Sequence, residues 1–345
     1  MATIGQFPSC PNPDCKVSET GRCVEDYSLD DCPHFGRDTY TDVIDGEPKD
    51  NTFDNAEEGS SELPLAIGEA LAERAAAAQL TLGRSRVIGI AGPNDAGKTS
   101  LIAGLYELFQ CGPVGGTTFA GSTTLIGLER LCHHARVHSK RNVPYTPRTS
   151  FGADATFLHL NVLPSGDREP IALLVGDRAG EDYVAVADEI AQAAKLFELR
   201  RADTITVLVN GERLVDDEER QEAIGQPISM LQGFSEGEVL SGGQQLALVL
   251  TKCDTIDISP RSDRARNDFE QIVARVRMRF ACAFSRIEAF EIAASPRHGN
   301  LQRGTGIDGL LVYWLRPSTP PEIERYKPPA LRMFDRLTIA EGAEG

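Results

Sequence analysis

A three-layer α/β fold, with helices on both faces of a mainly parallel sheet, is predicted by three features of this 345-residue sequence. Short β-branched runs alternate with helical stretches from about residue 63 onward. The runs are almost continuously apolar, as strands covered on both faces are. A glycine-rich loop joins the first such strand to the helix that follows it. Taken in order, Ala66–Leu80 is Ala-rich, with Glu69 and Glu73 among good helix formers, and predicts a helix. Arg86–Ala91 (RVIGIA) reads as a strand and Thr99–Phe109 as a helix. A helix at Thr124–Val137 follows. Thr156–Leu163 and Ile171–Gly176 are strands joined by a turn around Ser165, so that pair should run antiparallel. Thr204–Val209, Leu246–Leu250 and Ile287–Ile292 complete the strands. Helices are expected near Asp182–Arg201, Arg264–Phe280 and Ile307–Leu315.

Composition bounds the function. Lys and Arg number 35 against 51 acidic residues, a net charge of −16 that argues against a binder of nucleic-acid backbone. A compact pocket for one small anionic ligand is still compatible with it. There is no run of eighteen apolar residues to span a membrane, and Met1–Pro8 lacks the basic-then-apolar pattern of a secretory leader. The chain is therefore expected in the cytoplasm, with reduced thiols. Residues 1–36 are rich in cysteine. Residues 37–62 hold nine acids against Arg37 and Lys49 and read as a solvated linker. Residues 63–316 carry the α/β pattern, and 317–345 form a proline-rich tail expected to be irregular.

The loop after RVIGIA is Gly92-Pro93-Asn94-Asp95-Ala96-Gly97-Lys98-Thr99, which fits G-x-x-x-x-G-K-[ST] between a strand and a helix. The glycines permit backbone angles that turn successive N–H groups inward. The helix start adds its unpaired donors and positive dipole end. Gly92, Asn94, Asp95, Ala96, Gly97, Lys98, Thr99 and Ser100 are the expected phosphate-binding set, with Lys98 on the β- and γ-phosphates and the Thr99 hydroxyl on Mg²⁺.

Three further strand ends carry chemistry. IALLVG delivers Asp177-Arg178-Ala179-Gly180-Glu181. Asp177 is placed to support Mg²⁺, and the Gly180 N–H to meet a γ-phosphate. LALVL ends in Thr251-Lys252-Cys253-Asp254. The Asp254 carboxylate can accept from N1–H and N2–H₂ of guanine, a donor pair that adenine lacks. The Lys252 stem can lie along the purine. Finally, small Ala293, Ala294 and Ser295 let backbone N–H groups approach the guanine O6.

With these elements in place the sequence resembles the translation-factor-related class of P-loop GTPases, including Ras-like ones. The motifs occur in family order: GPNDAGKT, a Thr-bearing switch, DRAGE, TKCD and AAS. Thr251 stands where the usual base-reading motif has Asn, a variant associated with Rho-like members. More narrowly, the cysteine-rich head and the run Phe119–Glu129 resemble GTPases of bacterial double-GTPase systems, found in signalling or conflict cassettes. The resemblance implies a G domain that binds GTP or GDP with Mg²⁺, and a protein partner such as a second GTPase, effector or activator. A switch Thr should close on the γ-phosphate: Thr149, or else Thr146, with an ordinary loop hydroxyl as the competing reading. Relatives place Gln or His after D-x-x-G, whereas Glu181 stands here and its charge should slow hydrolysis. Lys98, Glu181 and Thr149 are thus the expected catalytic residues. Arg148 and Arg178 are candidate internal arginines, unless they are simply solvated. A scaffold that binds GTP without hydrolysing it is the alternative. Leu240-Ser-Gly-Gly-Gln244 spells the signature of ABC-type ATPases, but it runs into a strand rather than opening a helix, so a glycine-rich loop is the favoured reading.

Cys10, Cys15, Cys23 and Cys32 could enclose Zn²⁺ tetrahedrally, with His34 able to replace Cys32. A segment so short lacks a core, and metal binding would supply its folding energy. Unligated thiols are the competing reading, and protein docking rather than DNA binding is the expected use of such a module.

Overall fold

The computed structural model describes residues 68–137 and 155–317. The chain divides into two units, Met1–Leu63 and Pro64–Gly345, and every described residue belongs to the second. The zinc ligand set, the acidic linker, Thr146, Arg148, Thr149 and the tail beyond residue 317 lie outside the described residues.

The strands are β1 Ser85–Ala91, β2 Thr117–Gly121, β3 Thr156–Pro164, β4 Ile171–Asp177, β5 Thr204–Asn210, β6 Gln245–Thr251 and β7 Arg286–Glu291. They form one seven-stranded sheet in the order β2-β3-β4-β1-β5-β6-β7. From β4 to β7 every neighbour runs parallel. The β3–β4 pair is antiparallel, as its short turn requires, and β2–β3 is antiparallel too. The helices are α1 Glu73–Gln79, α2 Lys98–Cys111, α3 Leu125–Val137, α4 Gly180–Asp188, α5 Phe197–Arg201, α6 Gly211–Val215, α7 Arg220–Glu236, α8 Cys253–Asp257, α9 Ser262–Phe280 and α10 Ile307–Leu315.

Two buried clusters, one on each sheet face, make the three layers. On one, Ile88, Ile90, Leu160, Leu173 and Val249 meet Leu101 and Leu105 of α2, Leu128 of α3 and Trp314 of α10. On the other, Val207, Leu248 and Leu250 meet Tyr183 of α4, Leu199 of α5, Phe234 of α7 and Ile272 of α9. The indole of Trp314 donates to Thr206 Oγ1 at 2.9 Å, so its one polar atom is satisfied inside the core.

Besides the short helices α6 and α8, which the sequence reading did not expect, four elements differ from it. The helix expected from Ala66 is regular only over Glu73–Gln79. β2 follows a tight turn in which Gly115 and Gly116 both take positive φ, where side chains are strained. After the bulge at Gly121 the Ser122 and Thr124 hydroxyls both donate to the His159 carbonyl, and Thr124 Oγ1 accepts from the His159 N–H. These side chains take over the edge of β3 where β2 stops. The helix expected over Asp182–Arg201 is three pieces, α4, a 3₁₀ turn Ile190–Lys195 and α5, because Glu189 is extended between the first two. Helix α7 has no counterpart in the sequence reading. Pro227 and two glycines mask it, but Ala223, Met230, Leu231 and Phe234 are buried along one stripe. That burial offsets the hydrogen bond Pro227 removes.

Candidate functional site

Parallel strands deliver their carboxyl ends to one edge of the sheet, and β1, β4, β5 and β6 all end there. The first contribution is the loop after β1. Gly97 adopts φ 93°, left-handed, directly before α2, and Asp95 adopts φ 57°. Asp tolerates that region better than most side chains. Gly92 is packed between Leu208 and Ala96, where a Cβ would come within 3.0 Å of Leu208. Lys98 is buried and folds back over the loop, donating to the Gly92 and Pro93 carbonyls at 3.2 Å each. Burial pulls its pKa below the ordinary lysine value, against the attraction of Asp177, Glu181 and Asp95. Thr99 and Ser100 sit half-buried in the first turn of α2.

The end of β4 closes on this loop from one side. Gly180, the first residue of α4, is buried so tightly that a Cβ would lie 2.5 Å from Asn94 N, 2.5 Å from the Pro93 carbonyl carbon and 2.7 Å from Lys98 Nζ. Only glycine brings a backbone this close. Asp177 at the strand end and exposed Glu181 in the first turn of α4 are the carboxylates felt most strongly by Lys98. Arg178 is neither solvated nor directed at the loop. It is buried in an ion pair with Glu198 at 2.8 Å, which corrects both sequence readings of this residue.

The ends of β5 and β6 close on the other side. Lys252, at φ 55°, sends its ammonium to Asp95 at 2.7 Å and to Glu212 at 2.6 Å. Thr251 donates its hydroxyl to the Val209 carbonyl at 3.2 Å. The tie to the phosphate loop comes instead from Asn210 on the neighbouring strand. Its Nδ2 donates to the Asp95 carbonyl at 3.1 Å and its Oδ1 accepts from the Glu212 N–H at 3.0 Å. The sequence reading missed Asn210 and Glu212. An Asn-Gly at a strand end reads as an ordinary turn, and only the sheet order shows that it faces Asp95.

Asp254 is buried in α8, and its Oδ2 accepts the N–H groups of Arg297 at 2.7 Å and His298 at 3.3 Å. No hydrogen bond from the described residues reaches Oδ1. A carboxylate has about four acceptor directions, so capacity for two more donors is left. The Ala293-Ala294-Ser295 loop is pinned beside it. The Cys253 N–H donates to Ile292 O at 3.3 Å, Ala293 N–H to Thr305 O at 3.0 Å, and Gly304 N–H to the Ala293 and Ala294 carbonyls. Ala294 is buried against Gly104 of α2, and Ser295 is half-buried. Burial pushes the Cys253 thiol up to about 12. Leu240–Gln244 forms a loop into β6, where the buried Gln244 amide donates to Leu199 and Ala202.

The phosphate loop, the Asp177–Glu181 turn, the 251–254 segment and the 293–298 loop thus lie at one edge. Oxygen donors at Thr99 and Asp177 suit a hard divalent cation such as Mg²⁺. Among the described residues there is no cluster of three or more His, Cys, Asp or Glu that could hold a metal ion. No helix of the described residues is long and apolar enough to cross a membrane.

Comparison with known proteins gives three results. No curated protein matches the chain by sequence. Among solved structures it is similar to the signal recognition particle receptor SRb-GTP/SRX complex of Chaetomium thermophilum, at 16% identity and TM-score 0.38, over 67% of this chain and 95% of that one. It is also similar to the S. cerevisiae Ski7 GTPase-like domain, both with GTP (10% identity, TM-score 0.37, 71% of this chain and 53% of that one) and with GDP and inorganic phosphate (10%, 0.36, 70% and 51%). The chain therefore spans about half the length of the Ski7 chains. The sequence over residues 86–315, which holds the phosphate loop and all three loops around it, matches the Double-GTPase 2 family. The chain belongs to that family.

Proposed function

We propose that this chain is a GTPase-type molecular switch that binds GTP and GDP with Mg²⁺ and hydrolyses GTP slowly until a protein partner assists. The observation that carries the reading is the ion pair from Lys252 to Asp95 at 2.7 Å. It joins the expected base-reading segment to the expected phosphate loop across the sheet edge, so one nucleotide could touch both.

The roles follow from the chemistry. Backbone N–H groups from Asn94 to Thr99 and the start of α2 would receive the phosphates. The Lys98 ammonium would exchange two neutral carbonyls for anionic oxygens, a stronger hydrogen-bond partner. Thr99 and Asp177 would hold Mg²⁺, which when bound neutralises charge on the β- and γ-oxygens. Asp254 would read guanine while its Oδ2 keeps the 293–298 loop in place. Glu181 would face the attacking water with a like charge toward the γ-phosphate. Arg178 is committed to Glu198, so it supplies no arginine to the reaction. Both points support slow unaided turnover and an arginine brought by a partner. They equally suit a scaffold in which GTP binding alone orders the switch, and single-turnover phosphate release with and without partners separates the two.

From the resemblance we also infer a role in a bacterial signalling or conflict system, and a zinc-binding module at Cys10, Cys15, Cys23 and Cys32 or His34. Calorimetry with GDP and ADP tests the site. Guanine should be strongly preferred, and Asp254→Asn should abolish that preference. Equal affinity for the two bases would remove Asp254 from the account.

A further inference from the structure

The residue between Asp177 and the glycine turn is an arginine shut off from solvent. The Arg178 side chain is 3% exposed and that of Glu198 0%. Arg178 Nε donates to Glu198 Oε1 at 2.8 Å, and Nη2 donates to Glu198 Oε2 at 3.2 Å and to the Lys195 carbonyl at 2.8 Å. Nη1 lies 3.7 Å from Asp182 Oδ2 in the first turn of α4, and the guanidinium carbon is 5.9 Å from the Phe197 ring centroid. The Glu198 stem lies directly on β4, because Gly176 has no side chain. A Cβ at that position would come within 3.2 Å of Glu198 Cβ. One planar fork therefore ties together the end of β4, the first turn of α4 and the segment 195–198.

Such a pair is rarely a source of stability, since removing two charges from water offsets their attraction. What it does supply is a single geometry, because a guanidinium–carboxylate fork fixes direction as well as distance. The two residues on either side of that fork are the ones the nucleotide reading needs: Asp177 at the strand end, and Gly180 against Asn94 and Lys98.

We propose that Arg178 and Glu198 form a positioning pair that holds Asp177 and Gly180 in register with the phosphate loop, so that the turn meets a third phosphate already ordered. This rests on the guanine-nucleotide reading of the site. Among the described residues neither side chain hydrogen-bonds to the loop, and the base-side contacts through Lys252, Asn210 and Asp254 do not pass through the pair. Loosening it should therefore weaken the response to GTP while sparing GDP.

The test uses the full chain with Arg178→Met and Glu198→Leu combined, which removes both charges of the fork together and leaves only the rim carboxylate of Asp182 without this partner, so the fold should be preserved. Affinities for GDP and for a non-hydrolysable GTP analogue are measured by calorimetry with Mg²⁺, alongside thermal melting and single-turnover phosphate release. GDP affinity should stay within about twofold of wild type, as for changes at independent sites. Affinity for the GTP analogue or the single-turnover rate should fall roughly ten- to hundredfold, as for a displaced reacting group. Arg178→Lys keeps the charge without the fork and should show a smaller loss, confined to the GTP arm. Should the double variant not fold, Arg178→Lys decides alone. Parallel losses for both nucleotides would reduce the pair to a structural role, and no loss for either would overturn the proposal. A wild-type chain that binds neither nucleotide refutes the reading of the site instead.

Discussion

Gly180→Ala adds one methyl group at the tightest point of the site. The new Cβ would lie 2.5 Å from Asn94 N and from the Pro93 carbonyl carbon, and 2.7 Å from Lys98 Nζ. Carbon atoms in good contact sit about 3.5–4.0 Å apart, so the overlap is about 1 Å or more. Lys98 can swing aside, but the other two atoms are backbone in a loop held by Gly97 and by Asn210. Either the α4 turn retreats or the loop opens. Overpacking of this kind costs about 1–3 kcal/mol. For a domain of this size that corresponds to roughly 2–12 °C in melting temperature. The retreat also carries the Gly180 N–H away from Lys98, so affinity for a GTP analogue should fall more than affinity for GDP. Gly225→Ala in α7 is the control: its Cβ meets nothing within 4 Å, and a helix gains up to about 1 kcal/mol from that change. Thermal melting and calorimetry on both variants are the assays. A Gly180→Ala protein with wild-type melting and wild-type preference for GTP over GDP would refute the close packing of Gly180 on the loop.

Three further outcomes are expected. Glu181→Gln should speed single-turnover GTP hydrolysis by removing a carboxylate near the γ-phosphate; rapid turnover by wild type that the variant slows would reverse the role given to Glu181. Burial holds the buried His159 ring below its ordinary pKa of 6.5, with the Thr123 N–H donating to Nδ1 at 3.0 Å. The unfolded chain then binds the extra proton first, so stability is retained above about pH 6.5 and lost as pH falls below it. Melting curves at pH 7.5 and 5.5 should show that loss in wild type and a smaller one in His159→Asn; an equal loss in both would discharge His159. Metal analysis of native protein should read about one zinc per chain, and a substoichiometric reading would exclude the cysteine site.

What the sequence made legible was the chemistry that is local in the chain. RVIGIA followed by GPNDAGKT carries strand, loop and helix in a single stretch, and β1 and α2 lie within two residues of where that stretch puts them. The strand ends bearing Asp177 and Asp254 were equally readable, because continuous apolar runs stop where polar residues begin. What was hidden depends on contacts between distant segments. Glu189 has helical neighbours on both sides, and nothing local says that the chain must break there. The break leaves the Lys195 carbonyl free to accept from Arg178. Helix α7 was obscured by Pro227, whose cost is offset only by a stripe packed on α4. Arg178 looked like a surface residue until β4 and α5 enclosed it. Asn210 looked like part of a turn until sheet order placed it beside Asp95. By the same logic, the Thr251 hydroxyl turns to its neighbouring strand at Val209, and the tie to the loop is made one strand away by Asn210.

In the proposed reading one guanine nucleotide bridges the loop before Lys98 and the carboxylate of Asp254. Isothermal titration of the purified chain with GDP in the presence of Mg²⁺ tests it most directly. Saturable binding of one GDP per chain is expected, lost in Asp254→Asn and in Lys98→Ala alike. Absence of heat with any guanine nucleotide, or binding that survives both substitutions, would contradict it.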